Sequence, residues 1–536
     1  MTLLNTVFRH HPEPTVSRRH PEPTAKDPRI SDHHKSRVPR LRDGLIVAKA
    51  GSQCCLLATA AFLLLPLTLH AQTTPSKPAP TTSPWKSIAI PPLHAFKPSE
   101  PTHITLPNGV QLFLEEDHEL PFTSGFIRIR GGARDEPADK VGLVTLYGEA
   151  WRTSGTAAHP GDALDDQLAA KAASIETSGG QAATSVSWNS FSKDFDSVFS
   201  IALDLLEHPA FNESKLDLAK QSMASSILRR NDDAASIARR EAVQIAYGKT
   251  NPYGRESELS TISAVKLDDL KAWHQKTLDG ANLIVGVIGD FDEHEMEAKL
   301  RAAFGSIPQG TKLVTANIDF ADPTPGIYYA NKSDVDQSNV YMVGLGTEER
   351  NPDFYALSVM NEIFSGGFGS RVVQNVRTKL GLAYDVGGSF GAAYDHPGLF
   401  AVGLGTKSSS TVAATKATLD EVRRLRTDPP TDSELRKAKD DLLNSFIFKY
   451  DTPEKVLSEQ VVLAVYDYPA DFLERYRAGI EKVTAADVTR VALKYVQPEK
   501  LATVIVGNTS EIKPPLTDLG KTTELDITIP GAPKDQ

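Results

Sequence analysis

The residues best suited to chemistry in the second half of the chain are an arginine and a tyrosine, Arg377 and Tyr384. They follow a glycine-rich run, 364–371. This run leads into a predicted short helix, which breaks at Gly381 before a strand. A guanidinium and a phenol are good donors to peptide carbonyls and to an oxyanion that develops during amide hydrolysis. From spacing alone, the simpler interpretation is an exposed helical arginine and a core aromatic.

Metal chemistry would need histidines that reach one ion, and the histidine spacing does not supply them. Two imidazoles on one helical face lie three or four residues apart, whereas after residue 71 no histidine is closer than nine residues to the next. We therefore expect a zinc-free chain in which each of these side chains is a solvated or capping histidine: His94, His103, His118, His159, His208, His274, His294 and His396.

A serine nucleophile is formally present in Gly387-Gly-Ser389-Phe-Gly391, with Asp395 and His396 close behind. The G-x-S-x-G elbow of serine hydrolases requires a strand, a sharp turn and then a helix. Here a strand pattern continues on both sides, and triad members normally come from separated segments. The sequence argues against a serine hydrolase.

Residues 142–156 occupy a specific setting in the first half. A strand over 126–132 leads through an acidic loop into a helix that opens at Gly142 and stops at Ser-Gly-Thr. This order resembles the zinc-motif helix of the insulinase/pitrilysin family, which includes the mitochondrial processing peptidases. In active members the helix carries H-x-x-E-H, whose histidines bind zinc and whose glutamate activates water.

The resemblance places the motif on residues that bind no zinc. Thr145 and Glu149 stand at the two histidine positions and Gly148 at the glutamate position, while Ser226 stands where the family has its third ligand. By the same resemblance, Arg377 and Tyr384 match the pair of the C-terminal-domain signature, which faces the zinc site in the family. The resemblance covers roughly residues 95–510.

In several bacterial members one chain keeps the zinc motif and another keeps the Arg/Tyr pair, and this sequence has the second pattern. The resemblance therefore implies a heterodimer or larger hetero-oligomer, with zinc on a partner subunit, no cofactor in this chain and peptides as substrates. An extended peptide could add to the predicted strand over 179–188 if that strand lies at a sheet edge. An ordinary sheet strand is the alternative.

The strongest organisational signal is an internal repeat. The run Ile262…Gly289 pairs with Ile480…Gly507 at a constant offset of 218, which favours duplication of a whole domain. We predict an α+β fold of two homologous domains, each an antiparallel sheet backed by helices. The predicted segments are a 1–46 extension or mis-assigned start, a 47–71 signal peptide, a 72–94 Pro/Thr-rich tether, a 95–306 N-terminal domain, a 307–326 linker, a 327–510 C-terminal domain and a 511–536 tail.

The composition fits a globular, exported protein. The formal net charge is −10, and beyond residue 71 the chain carries 48 basic and 63 acidic residues, which argues against nucleic acid as a partner. The apolar run 54–69 predicts a secretory signal cleaved near Ala71, hence a periplasmic or secreted protein, with an uncleaved signal anchor as the alternative. Both cysteines, Cys54 and Cys55, precede that cleavage point.

Three functional hypotheses follow. The first is an exported, zinc-less subunit of a heteromeric insulinase-type peptidase that contributes Arg377 and Tyr384 and is inactive alone. The second is a structural or peptide-binding protein that kept the fold and lost catalysis. The third is a self-sufficient enzyme that uses Glu149 as a base with a different metal.

Overall fold

The computed structural model describes residues 98–533. The predicted extension, signal peptide and tether therefore lie outside the described residues, as do His94 and both cysteines. None of the helices within 98–533 is long and apolar enough to cross a membrane.

The first half forms one six-stranded sheet in the order β1-β2-β6-β3-β5-β4. Its strands are β1 (Thr102–Thr105), β2 (Gln111–Glu116), β3 (Phe122–Arg130), β4 (Ser174–Gly179), β5 (Ala183–Phe191) and β6 (Leu283–Gly289). Its helices are α1 (Leu143–Ser154), α2 (Gly161–Ala169), α3 (Phe195–Glu207), α4 (Glu213–Leu228), α5 (Ala234–Tyr247), α6 (Leu259–Ala264), α7 (Leu267–Thr277) and α8 (Glu293–Phe304).

The second half forms a six-stranded sheet in the order β10-β12-β8-β13-β7-β14 and a small parallel pair, β9 with β11. Its strands are β7 (Gly326–Asn331), β8 (Gln337–Leu345), β9 (Thr347–Glu348), β10 (Asp385–Phe390), β11 (Ala392–Ala393), β12 (Leu399–Lys407), β13 (Ala502–Gly507) and β14 (Thr522–Glu524). Its helices are α9 (Phe354–Ser365), the π-helical segment Val373–Lys379, α10 (Thr411–Thr427), α11 (Asp432–Lys449), α12 (Pro453–Val465), α13 (Phe472–Lys482) and α14 (Ala485–Tyr495).

The two sheets share one topology, so the predicted fold class of two homologous α+β domains is confirmed. Read from one edge, β4-β5-β3-β6-β2 corresponds strand by strand to β10-β12-β8-β13-β7. The sheets are mixed rather than wholly antiparallel, because β2 pairs with β6, and β7 with β13, in parallel. These partners are joined by long excursions through the helices, which parallel neighbours require.

The strand expected over 179–188 is not an edge strand. β5 pairs with β3 on one side and with β4 on the other, so β4 forms the edge. The run turns back at Gly180, whose N–H donates to the carbonyl of Ala183 at 2.9 Å. Gly180 therefore belongs to a hairpin turn. This turn joins β5 to an additional strand, β4, on its outer side.

Helices α5 and α12 occupy the same place in the repeat, beginning at residues 234 and 453, and each packs on the sheet of the other half. On α5, Ile237 is fully buried in a cluster with Val343 and Val504 of the second sheet. On α12, Leu457 is fully buried in a cluster with Ile284 of the first sheet. The two halves therefore share their cores through this reciprocal exchange of helices.

A buried cation secures the exchanged helix α12. The guanidinium of Arg130, at the end of β3, donates to the carbonyls of Ala464 (2.6 Å) and Val465 and forms an ion pair with Asp467 at 2.9 Å. A cation at the C-terminal carbonyls of a helix is favourable because the helix dipole is negative there.

The connecting and terminal segments differ in how they match their predictions. Residues 308–325, inside the predicted linker, contain no helix or strand. The segment from 511, predicted as a tail, instead adds β14 to the second sheet beside β7. Beyond β14, the carbonyl of Ile527 accepts a 2.6 Å hydrogen bond from Asn231 of the first half.

Candidate functional site

The helix that carries the replaced zinc motif, α1, is positioned by a buried carboxylate. Glu136, in the acidic loop before α1, accepts hydrogen bonds from the N–H groups of Gly142 and Val144, each at 3.0 Å. Burial raises the pKa of Glu136. Arg255 donates to the carbonyls of Ala133 and Glu136 and so holds this loop in place. Glu136 thus satisfies N–H groups that a helix start leaves free.

The motif glutamate position, Gly148, lies directly against the edge strand β4. A Cβ atom there would fall 2.3 Å from the backbone N of Gly179 and 2.6 Å from the carbonyl carbon of Ser178. The carbonyl of Gly148 also accepts a 2.6 Å hydrogen bond from the Thr177 hydroxyl. Since contacts below 3.0 Å do not occur between such atoms, only glycine fits between α1 and β4 as they are packed.

The remaining replaced ligand positions lie on two helices, α1 and α4. Thr145 is half-buried and Glu149 is exposed on α1. Ser226 is exposed on α4, and its hydroxyl donates to the Ser222 carbonyl of its own helix at 3.2 Å. Desolvation raises the pKa of Glu149. Within residues 98–533 no group of three or more His, Cys, Asp or Glu side chains is placed to hold a metal ion.

Two histidines expected to be solvated or capping instead pack among aromatic rings, with His274 buried and His396 partly buried. His274 is 7% exposed and lies behind α1, where its Nδ1 is 2.9 Å from the Tyr147 hydroxyl. Burial lowers the pKa of His274 to about 4. His396 stacks on Tyr253, with ring centroids 3.6 Å apart, and burial lowers its pKa to about 4 as well. Both rings behave as core aromatics because their neighbours are aromatic rings, which sequence spacing does not reveal.

The serine of the G-x-S-x-G pattern has no nucleophile geometry. Ser389 lies inside the continuous strand β10, which pairs along its length with β12. The neighbouring Asp395 and His396 do contact each other at 2.8 Å, but Tyr253 and Arg134 also bind Asp395. This network joins the first half to the second, and the serine-hydrolase interpretation fails, as predicted.

The structure brings Arg377 and Tyr384 together. Arg377 lies on the π-helical segment Val373–Lys379, and its guanidinium carbon is 5.7 Å from the centre of the Tyr384 ring. Tyr384 is 74% exposed and immediately precedes β10. Gly381 makes the break between them with a φ of +62°, a conformation that favours glycine. The predicted helix, break and strand are confirmed, and the tyrosine is a surface residue rather than a core one.

A third aromatic residue completes this surface, and sequence reasoning missed it. Phe368 of the glycine-rich loop is 73% exposed, and its ring centre is 5.1 Å from the Arg377 guanidinium carbon. The guanidinium therefore contacts two exposed aromatic rings. The available signal was a phenylalanine flanked by glycines in a loop, where a buried role for the side chain is improbable on chemical grounds.

The two sheet edges next to these sites differ in how their backbones are covered. On β10, Ser365 binds the N–H of Gly388 at 2.9 Å, and Asn361 binds both backbone groups of Phe390. On β4, one side chain in the described part of the chain reaches the backbone, namely Arg152 at the carbonyl of Ile175. Side chains of α9 therefore close the β10 edge more fully than α1 closes β4.

Together, the repeated α+β domains and the replaced motif on α1 define a peptidase-like protein without the family's zinc ligands. Residues 264–442 match the family profile described as the peptidase M16 inactive domain. The chain is therefore similar to the M16, or insulinase, peptidase family, and the profile that it matches is that of the family's inactive domain.

Two relatives and one solved structure are similar to this chain over most of its length. A Helicobacter pylori protein named non-peptidase homolog YmxG is 24% identical over 411 residues, covering 75% of this chain and 93% of that protein. A Streptomyces coelicolor protein named an uncharacterized zinc protease is 26% identical over 360 residues, 64% of this chain and 76% of that protein. The crystal structure of a peptidase M16 inactive domain from Pseudomonas fluorescens superposes with a TM-score of 0.70 at 23% identity, covering 78% of this chain and 100% of that one.

Proposed function

We propose that this protein is the zinc-less subunit of a heteromeric insulinase-type peptidase and supplies Arg377 and Tyr384 to a site whose zinc is held by a partner subunit. The observation that carries the proposal is the exposed Arg377–Tyr384 pair in a chain whose zinc-motif positions are replaced. Alone, the chain hydrolyses no peptide.

The packing of α1 supports the assignment of zinc to a partner. Catalytic zinc needs three protein ligands and an open position for water or substrate. Here the glutamate position is a glycine pressed against β4, and the third-ligand position is an exposed serine bonded to its own helix. This chain lacks the zinc ligands of the family, and α1 and β4 leave no room for a glutamate side chain at position 148.

The chemistry of Arg377 and Tyr384 supports a role in binding peptides. The guanidinium presents several N–H donors and the phenol presents one O–H, all from a solvent-exposed surface. Donors of this kind stabilise a peptide carbonyl and, more strongly, the oxyanion that forms when a partner's zinc-bound water attacks it. Both residues thus act on the substrate without binding metal.

The edge strand β4 is the place in the first domain where an extended peptide would be held. Strand addition uses backbone hydrogen bonds and needs an edge whose backbone groups are accessible. Fewer side chains bind the backbone of β4 than that of β10, where Ser365 and Asn361 already do so, and α1 lies against β4 at Ser178 and Gly179.

The direct test mixes this chain with the zinc-bearing M16 protein of the same genome and follows hydrolysis of fluorescein-labelled casein. We expect hydrolysis with the wild-type chain and a loss of at least tenfold with Arg377→Ala. Tyr384→Phe should lower the rate at unchanged complex formation, which size-exclusion chromatography would check. Arg436 is an exposed arginine of α11. Arg436→Ala is therefore the matched control and should leave the hydrolysis rate unchanged.

A second candidate is a peptide-binding or scaffold protein with no part in catalysis, and the name of the Helicobacter pylori relative favours it. Equal hydrolysis rates with wild-type chain and with Arg377→Ala would establish this alternative. Export is part of the proposal too, and it rests on the apolar run 54–69. Cell fractionation and N-terminal sequencing of the mature protein test it, with cleavage after Ala71 as the expected result.

A further inference from the structure

The surface around Arg377 is unusually apolar for an exposed position. Phe368, Leu380 and Tyr384 are 73%, 57% and 74% exposed, and they belong to the eight large apolar side chains that stand most exposed in the described part of the chain. All three lie within 17 residues of sequence: Phe368 is on the glycine-rich loop, Leu380 directly follows the π-helical segment, and Tyr384 directly precedes β10. Exposed apolar side chains that cluster in this way mark interaction sites.

The arginine at the centre of this surface has no acidic partner in residues 98–533. The contrast with its neighbour is informative, since Arg371 binds Glu434 through Nε at 2.7 Å and through a second nitrogen at 2.9 Å. Arg377 contacts aromatic rings instead. In a chain with excess acid, this leaves the N–H groups of one guanidinium available to an external carboxylate.

The two rings also restrict the orientation of that guanidinium. Phe368 and Tyr384 lie 5.1 Å and 5.7 Å from the guanidinium carbon, distances at which ring and cation attract. Contacts with rings leave the guanidinium N–H groups without an oxygen acceptor, and a planar fork of such donors matches a carboxylate. The π-helical backbone beneath Arg377 is a geometry frequently found at functional sites.

We propose that Phe368, Arg377 and Tyr384 form a clamp that selects peptides by an acidic side chain next to an apolar one. The carboxylate binds the Arg377 guanidinium, and the apolar neighbour packs on the exposed Tyr384 ring. Phe368 is a positioning residue, because it acts by holding the guanidinium. The inference rests on the proposed peptide-binding role of Arg377 and Tyr384 and adds the class of peptide they take.

The test measures binding by the whole chain alone, so that it is independent of any partner. Two fluorescein-labelled, C-terminally amidated peptides are compared by fluorescence anisotropy, Gly-Ser-Gly-Leu-Glu-Phe-Gly-Ser-Gly and the same peptide with Gln for Glu. We expect the Glu peptide to bind roughly tenfold more tightly, because charge-assisted hydrogen bonds are the stronger ones. Its advantage should shrink as salt is raised.

The variants separate the clamp from general apolar binding. Arg377→Gln should reduce the Glu/Gln selectivity to about one, and Phe368→Leu should reduce it about threefold while the Gln peptide binds as before. Phe448 is 72% exposed at the far end of α11, so Phe448→Leu is the matched control and should change neither affinity. Circular dichroism at matched temperature checks that each variant is folded.

Several results would overturn the inference. Equal binding of the two amidated peptides by the wild-type chain would do so, as would selectivity that survives in Arg377→Gln. A Gln peptide with a free carboxyl terminus that matches the Glu peptide would show capture of chain ends instead. Each of these results leaves the hydrolysis assay with the zinc-bearing partner unaffected, so the two proposals fail separately.

Discussion

The contact between Gly148 and β4 allows a quantitative prediction for Gly148→Ala. The added Cβ would lie 2.3 Å from the Gly179 nitrogen, so β4 must move by about 1 Å to reach ordinary van der Waals separation. Displacing well-packed backbone places the cost near the upper end of the ~1–3 kcal/mol typical of overpacking. Alanine returns about 1 kcal/mol through its better helix propensity. We expect the free energy of unfolding to fall by about 2 kcal/mol.

Equilibrium unfolding in urea, followed by far-UV circular dichroism, gives that free energy. Two controls bracket the effect. Glu149→Ala changes the next, exposed residue of α1 and should alter stability by no more than about 0.5 kcal/mol. A Cβ on Gly405 meets no atom within 4 Å, so Gly405→Ala should not destabilise through a clash. If Gly148→Ala is as stable as the wild-type chain, the close approach of α1 and β4 is wrong.

The same contact predicts that zinc chemistry cannot be restored by ligand replacement alone. A glutamate at position 148 carries the same Cβ clash as alanine and adds a carboxylate that β4 would desolvate. We therefore expect no stoichiometric zinc, measured by elemental analysis after dialysis, in a variant that regains every ligand type of the family: Thr145→His, Gly148→Glu, Glu149→His and Ser226→Glu. Stoichiometric zinc with peptide hydrolysis by that single chain would refute the steric reasoning.

Three further predictions concern the supports of the fold. Because burial lowers the pKa of His274 to about 4 from 6.5, the folded chain keeps this ring neutral, so the free energy of unfolding should fall by about 3 kcal/mol as pH drops from 6.5 to 4. His274→Gln should remove that part of the pH dependence in urea titrations, and an unchanged slope would contradict it. Glu136→Ala should lower the free energy of unfolding by about 2 kcal/mol, because two buried N–H groups lose their acceptor. Amide hydrogen exchange should become faster at Gly142 and Val144 but not at the start of α12. Leu457→Ala should lower the free energy of unfolding by about 3 kcal/mol and speed proteolysis within 308–325. Leu493 is exposed, so Leu493→Ala should change neither stability nor proteolysis.

The fold was predictable where the signal was periodic or repeated. The offset of 218 predicted two copies of one domain, and both sheets have the same order. An Asn-Gly pair is typical of hairpin turns, and Asn108-Gly109 lies in the turn between β1 and β2. The edge of the first sheet was not predictable in this way, because a glycine pair reads equally as a strand start or as a turn, and only pairing decides between them.

The candidate site was predictable at the level of residue type but not of environment. The family pattern identified Arg377 and Tyr384, and the structure places them in contact. Spacing gave no information on Phe368, whose contact with Arg377 depends on how the glycine-rich loop folds. It also gave none on His274, because the rings around it come from helix α1 and from the loop that holds Phe211. Contacts of this kind are tertiary, so local pattern carries no trace of them.

The reciprocal seating of α5 and α12 has a consequence for the origin of the chain. If the peptide link between the halves is disregarded, the arrangement is that of two similar protomers that have traded an arm across a pseudo-twofold axis. A single ancestral copy could have covered its apolar sheet only by pairing with a second copy. Gene fusion would then have made that dimer permanent. After fusion, the two copies could diverge, so that a residue lost from one copy did not have to be lost from the other.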